Sequence, residues 1–350
     1  MLRFVLWCMV VVPFFSGSAG QCTASDESGT KKTGWIGKSF MPREGIKYRM
    51  GERDLAQPLP LPLDVFAEDG DWLFVSGGKV RKSDVVSTNK AAAYYEELLR
   101  KNPKNSWALC QRGILVGIDG ELDQALKDFD AAIECDAKNA EAFVMRGILH
   151  LTNEEFDRAI TEFDRAIQIR PDYADAYHQR GFYYFENLDD NEKAIADFNA
   201  AIKACPEFSE AYAGRGLVYQ YLQRPKDAVA DYDKAIRLDP YAIDSLSNRA
   251  LIRAAGDDET LRDGKLAIVD ATKACELTKY EDVETLSVLA AAYAEDGQFD
   301  QAVKTQMKAV LHSSGKSKIE LLRKVGLYEQ KKPYRYAEEL QELLDSKDEE

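Results

Sequence analysis

The sequence is poor in the residues from which most catalytic and metal sites are built. Its 350 residues include only three histidines, and none stands in an HExxH pattern or beside a recognisable nucleophile motif. Carboxylates are plentiful, but at helical spacing they are more simply explained as a solvated face. We therefore expect a non-enzymatic protein without a cofactor or a metal site. The alternative is a cell-envelope enzyme, or a regulatory subunit of one, whose site is assembled from distant residues.

Positive charge is also in deficit. The chain has 46 lysines and arginines against 60 aspartates and glutamates, which gives a formal net charge of -14. A nucleic-acid-binding protein needs a basic footprint, so this balance disfavours a general polyanion binder. It equally disfavours docking on anionic lipid. We expect a protein or peptide partner and no nucleic acid.

The six cysteines contain no CxxC pair and no metal-ligand spacing. They are Cys8, Cys22, Cys110, Cys135, Cys205 and Cys275. Cys135 and Cys275 fall on the apolar faces of predicted helices, where a cysteine is usually a small buried hydrophobe. We therefore predict mostly free, buried thiols.

Long apolar runs are missing, apart from one of twelve residues at Phe4–Phe15. That run is too short to span a bilayer comfortably, it follows Arg3, and small residues end it at 18–20. The pattern predicts a cleavable secretory signal over residues 1–20, export to the periplasm or beyond, and no stable membrane insertion after cleavage. The alternatives are an uncleaved anchor or a lipid on Cys22, which the bulky Gln21 disfavours.

A β-rich region follows a flexible leader at residues 21–34. Residues 35–87 contain short β-rich runs separated by turn signals, which suggests a small closed barrel. The predicted strands are 38–41, 46–50, 63–66, 72–75 and 79–81. The order of elements from Gly70 to Val86 resembles a bacterial SH3-like domain. Four aromatic residues are candidates either for a peptide groove or for the barrel core: Trp35, Phe40, Tyr48 and Trp72.

The rest of the chain is organised by a repeated pattern. Small and aromatic residues recur around Gly147, Gly181 and Gly216, which are 34 and then 35 residues apart. A period of this length is typical of stacked helical hairpins. Small side chains let the two helices of a hairpin approach closely, and aromatic side chains fill the space beside them. One hairpin cannot bury both its faces, so the hairpins stack.

These residues resemble the tetratricopeptide repeat family. Four clear repeats are followed by two looser ones, with Ala250 and Ala290 at the glycine position and Gln306 where an aromatic residue is usual. The resemblance implies a mostly α fold, a right-handed α-solenoid over residues 104–312 after the SH3-like β-barrel. Residues 88–103 are expected to form a linking and capping helix, and residues 313–350 a C-terminal capping helix and an acidic tail.

An arginine directly precedes the small residue in the first five repeats. These arginines are Arg112, Arg146, Arg180, Arg215 and Arg249. A column of arginines could clamp a carboxylate ligand. Pairing within the protein is the favoured interpretation, because acids recur on the second helices with the same period. Those acids are Asp128, Glu162, Asp197 and Asp231.

The resemblance also implies a partner groove on the first helix of each repeat. In the family, the positions three before, one after and four after the glycine contribute most to a concave face. Here the candidate residues are Val144, Ile148, Leu151, His178, Phe182, Phe185, Ala213, Leu217 and Gln220. Packing against a neighbouring repeat is an equal alternative for Leu217, whereas His178 and Phe185 are expected to be exposed. The resulting expectation is an exported scaffold that binds a peptide segment in an apolar groove, with the SH3-like domain as an accessory contact.

Overall fold

The structure is a computed structural model that describes residues 38–47, 49–50, 53–54, 63–75 and 78–336. The signal at 1–20, the leader at 21–34 and the tail beyond 336 lie outside these residues and stay predictions. The described residues divide into two compact units. The N-terminal unit ends at Ala211, the C-terminal unit begins at Tyr212, and each is described by itself.

A small antiparallel sheet opens the N-terminal unit. Its strands are β1 (Ser39–Pro42), β2 (Arg49–Met50), β3 (Arg53–Asp54), β4 (Leu63–Asp69), β5 (Trp72–Val75), β6 (Gly78–Arg81) and β7 (Val85–Ser87). They lie in the order β3-β2-β6-β5-β4-β1-β7. The pairing of β4 with β5 places Asp69 opposite Trp72, and β5 with β6 places Leu73 opposite Val80. Alternate apolar side chains form the core of this sheet, as expected for strands with one buried face.

Two of the four candidate aromatic residues lie within the described part of the sheet. Phe40 is buried in its core. Trp72 is half-buried, and its ring lies 4.8 Å from Lys79 Nζ and 5.3 Å from Arg81 Cζ. Trp35 and Tyr48 lie outside the described residues. The strand positions fit the sequence pattern, whereas closure into an SH3-like barrel stays a prediction.

The remainder of the N-terminal unit is helical. Its helices are α1 (Thr88–Lys101), α2 (Ser106–Ile118), α3 (Leu122–Cys135), α4 (Ala140–Thr152), α5 (Phe156–Ile169), α6 (Ala174–Glu186) and α7 (Asn191–Ala204). Helix α1 joins the sheet to the hairpins: Tyr95 is buried, and its hydroxyl donates to the carbonyl of Pro42 at 2.7 Å.

The C-terminal unit continues the same alternation of helices. Its helices are α8 (Ser209–Tyr221), α9 (Pro225–Leu238), α10 (Ile243–Ala255), α11 (Gly264–Leu277), α12 (Val283–Glu295), α13 (Phe299–Leu311) and α14 (Gly315–Glu329). The boundary between the two units falls in the first turn of α8. A short 3-10 turn at Glu259–Leu261 lies in the connection between α10 and α11.

The first helices of the hairpins (α2, α4, α6, α8, α10 and α12, called A helices) share one design. Each has 13 residues, and the small residue of the repeat is the eighth. The second helices are called B helices. Asparagine side chains cap several A helices: Asn105 accepts from Ala108 N–H and Asn139 from Ala142 N–H. Such caps satisfy backbone donors that the first turn of a helix leaves free.

The crossing of the A and B helices depends on the repeated small residue. A Cβ placed on Gly113 would lie 2.6 Å from the Phe129 ring, and a Cβ on Gly147 would lie 2.7 Å from the Phe163 ring. Both rings are fully buried. A closely packed interior has no room for an added methyl group at these points.

We predict that Gly113→Ala destabilises the protein by about 1–3 kcal/mol, because the new methyl group overpacks the crossing. The gain in helix propensity of about 1 kcal/mol offsets only part of this cost. Urea unfolding followed by circular dichroism measures the difference.

The matched control is Gly326→Ala in α14, where an added Cβ has no atom within 4 Å. This variant should be at least as stable as the wild type, because only the propensity term remains. Equal destabilisation of both variants would show that the close approach at Gly113 has no energetic consequence.

The described cysteines are all free. Cys110, Cys205 and Cys275 are buried, as predicted, whereas Cys135 is exposed. The expectation of burial is therefore wrong for Cys135, which is the last residue of α3 and lies where the helix leaves the hairpin core. Burial raises the pKa of Cys110 well above its usual value and that of Cys275 to about 11.

Candidate functional site

The arginines that precede the repeated small residue are paired inside the hairpins. The shortest ion-pair distances are 2.7 Å for Arg112–Asp128, 2.8 Å for Arg146–Glu162, 2.7 Å for Arg180–Asp197 and 2.7 Å for Arg215–Asp231. Each arginine makes two hydrogen bonds to its acid. The prediction of pairing within the protein is therefore confirmed, and the arginines are not arranged as a free clamp for a ligand carboxylate.

Several of these arginines also bind an acid of the preceding hairpin. Arg146 Nη1 lies 2.8 Å from Asp130 Oδ1, and Arg180 is paired with Asp164 in the same way. In the C-terminal unit, Arg249 lies 2.6 Å from Asp233. The guanidinium groups therefore connect consecutive hairpins as well as the two helices of one hairpin.

The candidate groove positions of the N-terminal unit lie mostly below the surface. Val144 and Ile148 are buried, while Leu151 and Phe182 are half-buried. The structure does bring the positions three before, one after and four after the glycine onto one side of the A helices. We call this side the A-helix face.

The expected exposure of His178 and Phe185 is wrong, because they are 8% and 1% exposed. The His178 ring packs edge-on against Phe182 and Phe208, with centroids 4.9 and 5.2 Å apart, and it also contacts Phe198. Aromatic side chains bury a large apolar area, so they pack against one another instead of forming an open wall. Burial lowers the pKa of His178 to about 3, which leaves the imidazole neutral at neutral pH.

The candidate positions of the C-terminal unit are also partly buried and partly half-buried. Leu217 is buried, whereas Ala213 and Gln220 are half-buried. The Tyr232 hydroxyl donates to Gln220 Oε1 at 3.0 Å, so this amide is fixed by the B helix of its own hairpin.

Carboxylates form a second periodic feature that the sequence reasoning missed. From α4 onward, every A helix carries an acid in its first turn, six residues before the small residue. These acids are Glu141, Asp175, Glu210, Asp244 and Glu284. The same 34-residue period would have revealed them. Stabilisation of the helix N-terminus is the simpler explanation, but it should lower the pKa of such acids.

Burial raises the pKa of two of these acids in the N-terminal unit instead. Burial raises the pKa of Glu141, against a hydrogen bond from Gln111 Nε2 at 3.1 Å and the positive charge of Arg170, and Asp175 adds a smaller upward contribution. Burial also raises the pKa of Asp175, against a hydrogen bond from Gln179 Nε2 at 3.1 Å and the charge of Arg170. Desolvation therefore raises the pKa of these carboxylates by more than the surrounding hydrogen bonds and charges lower it.

Polar atoms without a partner lie beside these carboxylates. Gln111 Oε1, Arg170 Nη2 and His178 Nδ1 are buried and have no hydrogen-bond partner among the described residues. His178 Nδ1 lies 4.0 Å from Asp175 Oδ1, and Gln111 is bonded to Glu141. Buried polar groups are normally satisfied, so this group of residues has unused hydrogen-bonding capacity.

The C-terminal unit has its own group of carboxylates on the A-helix face. Burial, followed by repulsion from Asp282 and Asp244, raises the pKa of the half-buried Glu284 to about 8. Ser247 Oγ is also buried without a partner among the described residues. This face is therefore acidic, polar and incompletely compensated, as in the N-terminal unit.

Other kinds of site are not seen in the part of the chain that the structure describes. There, no group of three or more histidine, cysteine, aspartate or glutamate side chains is arranged to hold a metal ion. None of the helices described combines the length and apolar character needed to cross a membrane.

Stacked helical hairpins that recur with a constant spacing define a repeat protein. Comparison with known families agrees with this: the tetratricopeptide repeat matches residues 174–208 and 209–241, and a TPR repeat matches residues 152–187. The hairpins within residues 152–241 therefore match the tetratricopeptide repeat. No curated protein matches the sequence.

Two solved structures share this arrangement of helices. The APC/C hetero-tetramer Cut9–Hcn1 aligns with a TM-score of 0.59 and 15% identity, over 68% of this chain and 46% of that chain. PilW, a type IV pilus biogenesis factor, aligns with a TM-score of 0.53 and 17% identity, over 62% of this chain and 98% of that chain. At these identities the likeness concerns the fold alone.

We predict that Arg180→Ala destabilises the protein by about 2–4 kcal/mol, because it leaves the buried carboxylate of Asp197 unpaired and breaks the link to Asp164. The control is Arg158→Ala, whose exposed pair with Glu155 should contribute about 0–1 kcal/mol. Chemical unfolding of both variants gives the comparison, and similar costs would contradict a structural role for the arginine column.

A second prediction concerns Glu284, whose folded pKa of about 8 lies above the ordinary glutamate value. The folded state then binds the extra proton, so stability falls as pH rises between the two pKa values. Glu284→Gln should equal the wild type near pH 4 and exceed it at pH 8.5 by at most about 5 kcal/mol, a figure that solvent screening at this half-buried position reduces. Glu276→Gln, at an exposed position of α11, keeps Glu284 and should follow the wild type at every pH. Parallel pH profiles for all three proteins, measured by urea unfolding, would contradict the prediction.

Proposed function

We propose that this protein is an exported, non-catalytic scaffold whose A-helix faces bind an extended segment of a partner protein. The observation that carries the proposal is the group around Glu141 and Asp175. Two carboxylates whose pKa is raised by burial lie there beside buried polar atoms without hydrogen-bond partners. A bound segment would supply hydrogen-bonding partners for these atoms and cover the half-buried side chains of the A-helix face.

The charges on this face favour a partner segment that contains lysine or arginine. The arginines of the repeats are already paired with the acids of the B helices, whereas the acids at the start of the A helices are raised in pKa by burial. A further cationic side chain near Glu141 and Asp175 would add to the charge of Arg170 and stabilise their ionised forms. An acidic partner tail would add repulsion instead.

Export and the accessory contact complete the proposal. Export rests on the sequence of residues 1–20. The sheet offers the half-buried Trp72 flanked by Lys79 and Arg81, a combination that can contact a second part of the same partner. Two modest contacts on one chain raise the overall affinity without a new strong site.

Selection of peptides from a library of random twelve-residue sequences tests the proposal with the full chain. Binders should be enriched in lysine and arginine. The Glu141→Gln/Asp175→Asn variant should bind the selected peptides at least about tenfold more weakly, which corresponds to about 1.4 kcal/mol. Fluorescence anisotropy with labelled peptides gives the dissociation constants.

The control is Asp123→Asn/Glu192→Gln, which makes the same chemical changes in the first turns of two B helices, at exposed positions. It should bind like the wild type. If no peptide is selected, or if both double variants bind equally well, the A-helix face is not the binding site.

A further inference from the structure

The chain itself places a short segment on the C-terminal unit. Helix α14 ends at Glu329, and Lys331 adopts a left-handed conformation with φ 57°. The N–H of Lys332 donates to the carbonyl of Leu327 at 2.9 Å, which closes the helix end. Residues 332–335 then continue without regular secondary structure. We call Pro333–Tyr336 the return segment.

Arg335 anchors the return segment by one hydrogen bond and one ion pair. Its Nη1 donates to the carbonyl oxygen of Ala254 at 3.1 Å, and its Nη2 lies 2.6 Å from Glu295 Oε2. Ala254 belongs to the last turn of α10, where carbonyl groups have no partner within the helix and attract positive charge. Glu295, the last residue of α12, is also 3.4 Å from Arg262.

Two tyrosines flank this arginine and pack into the unit. Tyr334 is only 3% exposed and belongs to the main apolar cluster of the C-terminal unit, and Tyr336 packs against the same cluster. Their rings are 5.8 Å apart in an edge-on arrangement, and Lys324 Nζ lies 4.1 Å from the Tyr334 centroid. An aromatic anchor on each side of a paired arginine is a composition typical of binding hot spots.

The surface beneath the return segment is part of the A-helix face. Ala254 is the fourth residue after Ala250, the small residue of its repeat, and so occupies the register position of Leu151 and Gln220. Glu295 is the fifth residue after Ala290. The return segment therefore lies at the C-terminal ends of α10 and α12, on the side of these helices where the proposed function places a partner.

We propose that this surface is a peptide site filled in cis, and that it accepts partner segments with an arginine between two aromatic residues. The inference rests on the proposed function and assigns a sequence class to the C-terminal unit. All the anchors lie within three consecutive residues, so a free peptide can carry every one of them. The groups that bind the Arg335 guanidinium belong to α10 and α12, which precede the return segment in the chain.

Occupation in cis has a measurable consequence for an external peptide. A partner binds only when the return segment is displaced, so its apparent dissociation constant is the intrinsic one divided by the fraction of displaced molecules. Weakening the cis contact should therefore strengthen binding in trans.

The test uses the full chain and a fluorescein-labelled synthetic peptide with the sequence of residues 331–336. The Tyr334→Ala/Arg335→Ala variant should bind this peptide at least tenfold more tightly than the wild type does. Adding Glu295→Gln to that variant should reverse most of the gain, because the acceptor for the peptide arginine is removed. A peptide with glutamate in place of the arginine should not bind.

The control variant is Lys332→Ala, an exposed position next to the return segment, which should bind the peptide like the wild type. If the double variant keeps its circular dichroism spectrum and melting temperature yet binds no more tightly than the wild type, the return segment is only a structural cap and the inference fails.

Hydrogen exchange on the wild-type protein covers the case in which the double variant does not fold. Excess peptide should accelerate exchange of the Tyr334 and Arg335 amides, because these residues belong to the return segment that the peptide displaces, whereas unchanged exchange at 1 mM peptide overturns the inference. The peptide-library experiment on Glu141 and Asp175 does not involve the return segment. If the return-segment experiment fails while the peptide-library experiment succeeds, only the proposed sequence class is removed. If the peptide-library experiment fails, the proposed function is removed.

Discussion

The contact between a small residue on each A helix and the side chain facing it on the B helix determines how closely the helices of a hairpin approach. In the early repeats a glycine meets a phenylalanine ring, as in the pair Gly113–Phe129. In the fifth repeat both positions are alanine, Ala250 and Ala271, and both are fully buried. Compared with the early repeats, the fifth has a larger residue on the A helix, alanine instead of glycine, and a smaller one on the B helix, alanine instead of phenylalanine. The two changes offset each other in volume, so the crossing can stay closely packed while the sequence changes.

The arginine column depends on this close approach. Because each arginine directly precedes the small residue, it emerges at the crossing, where the acid of the B helix is within reach of its guanidinium group, in most pairs of Nε and Nη2. Arg180 is bonded in this way to Asp197 and also meets Asp164 of the preceding hairpin. Such bidentate pairs fix orientation as well as position. The arginines are consequently part of the framework, and the positive charge of the repeats is largely used within it.

Periodicity in the sequence was sufficient to predict the hairpins and the pairing of the arginines, since both recur with the same spacing. It could not give the burial of His178 and Phe185, because a period identifies the side of a helix but not how closely other rings approach it. The acids at Glu141 and Asp175 carry an equally periodic signal, but their raised pKa depends on enclosure that only the structure shows. Cys135 differs from prediction because a helix end lies outside the hairpin core.

Two independent observations give the same charge preference for the A-helix faces. In the N-terminal unit, Glu141 and Asp175 are desolvated beside polar atoms that lack partners. In the C-terminal unit, Arg335 of the chain itself is paired with Glu295 and bonded to Ala254. Because the arginine column is used within the framework, carboxylates and helix-end carbonyls are the groups to which the proposed function assigns a ligand. Both of these groups are acceptors, so cationic donors with apolar flanks are the complementary partners.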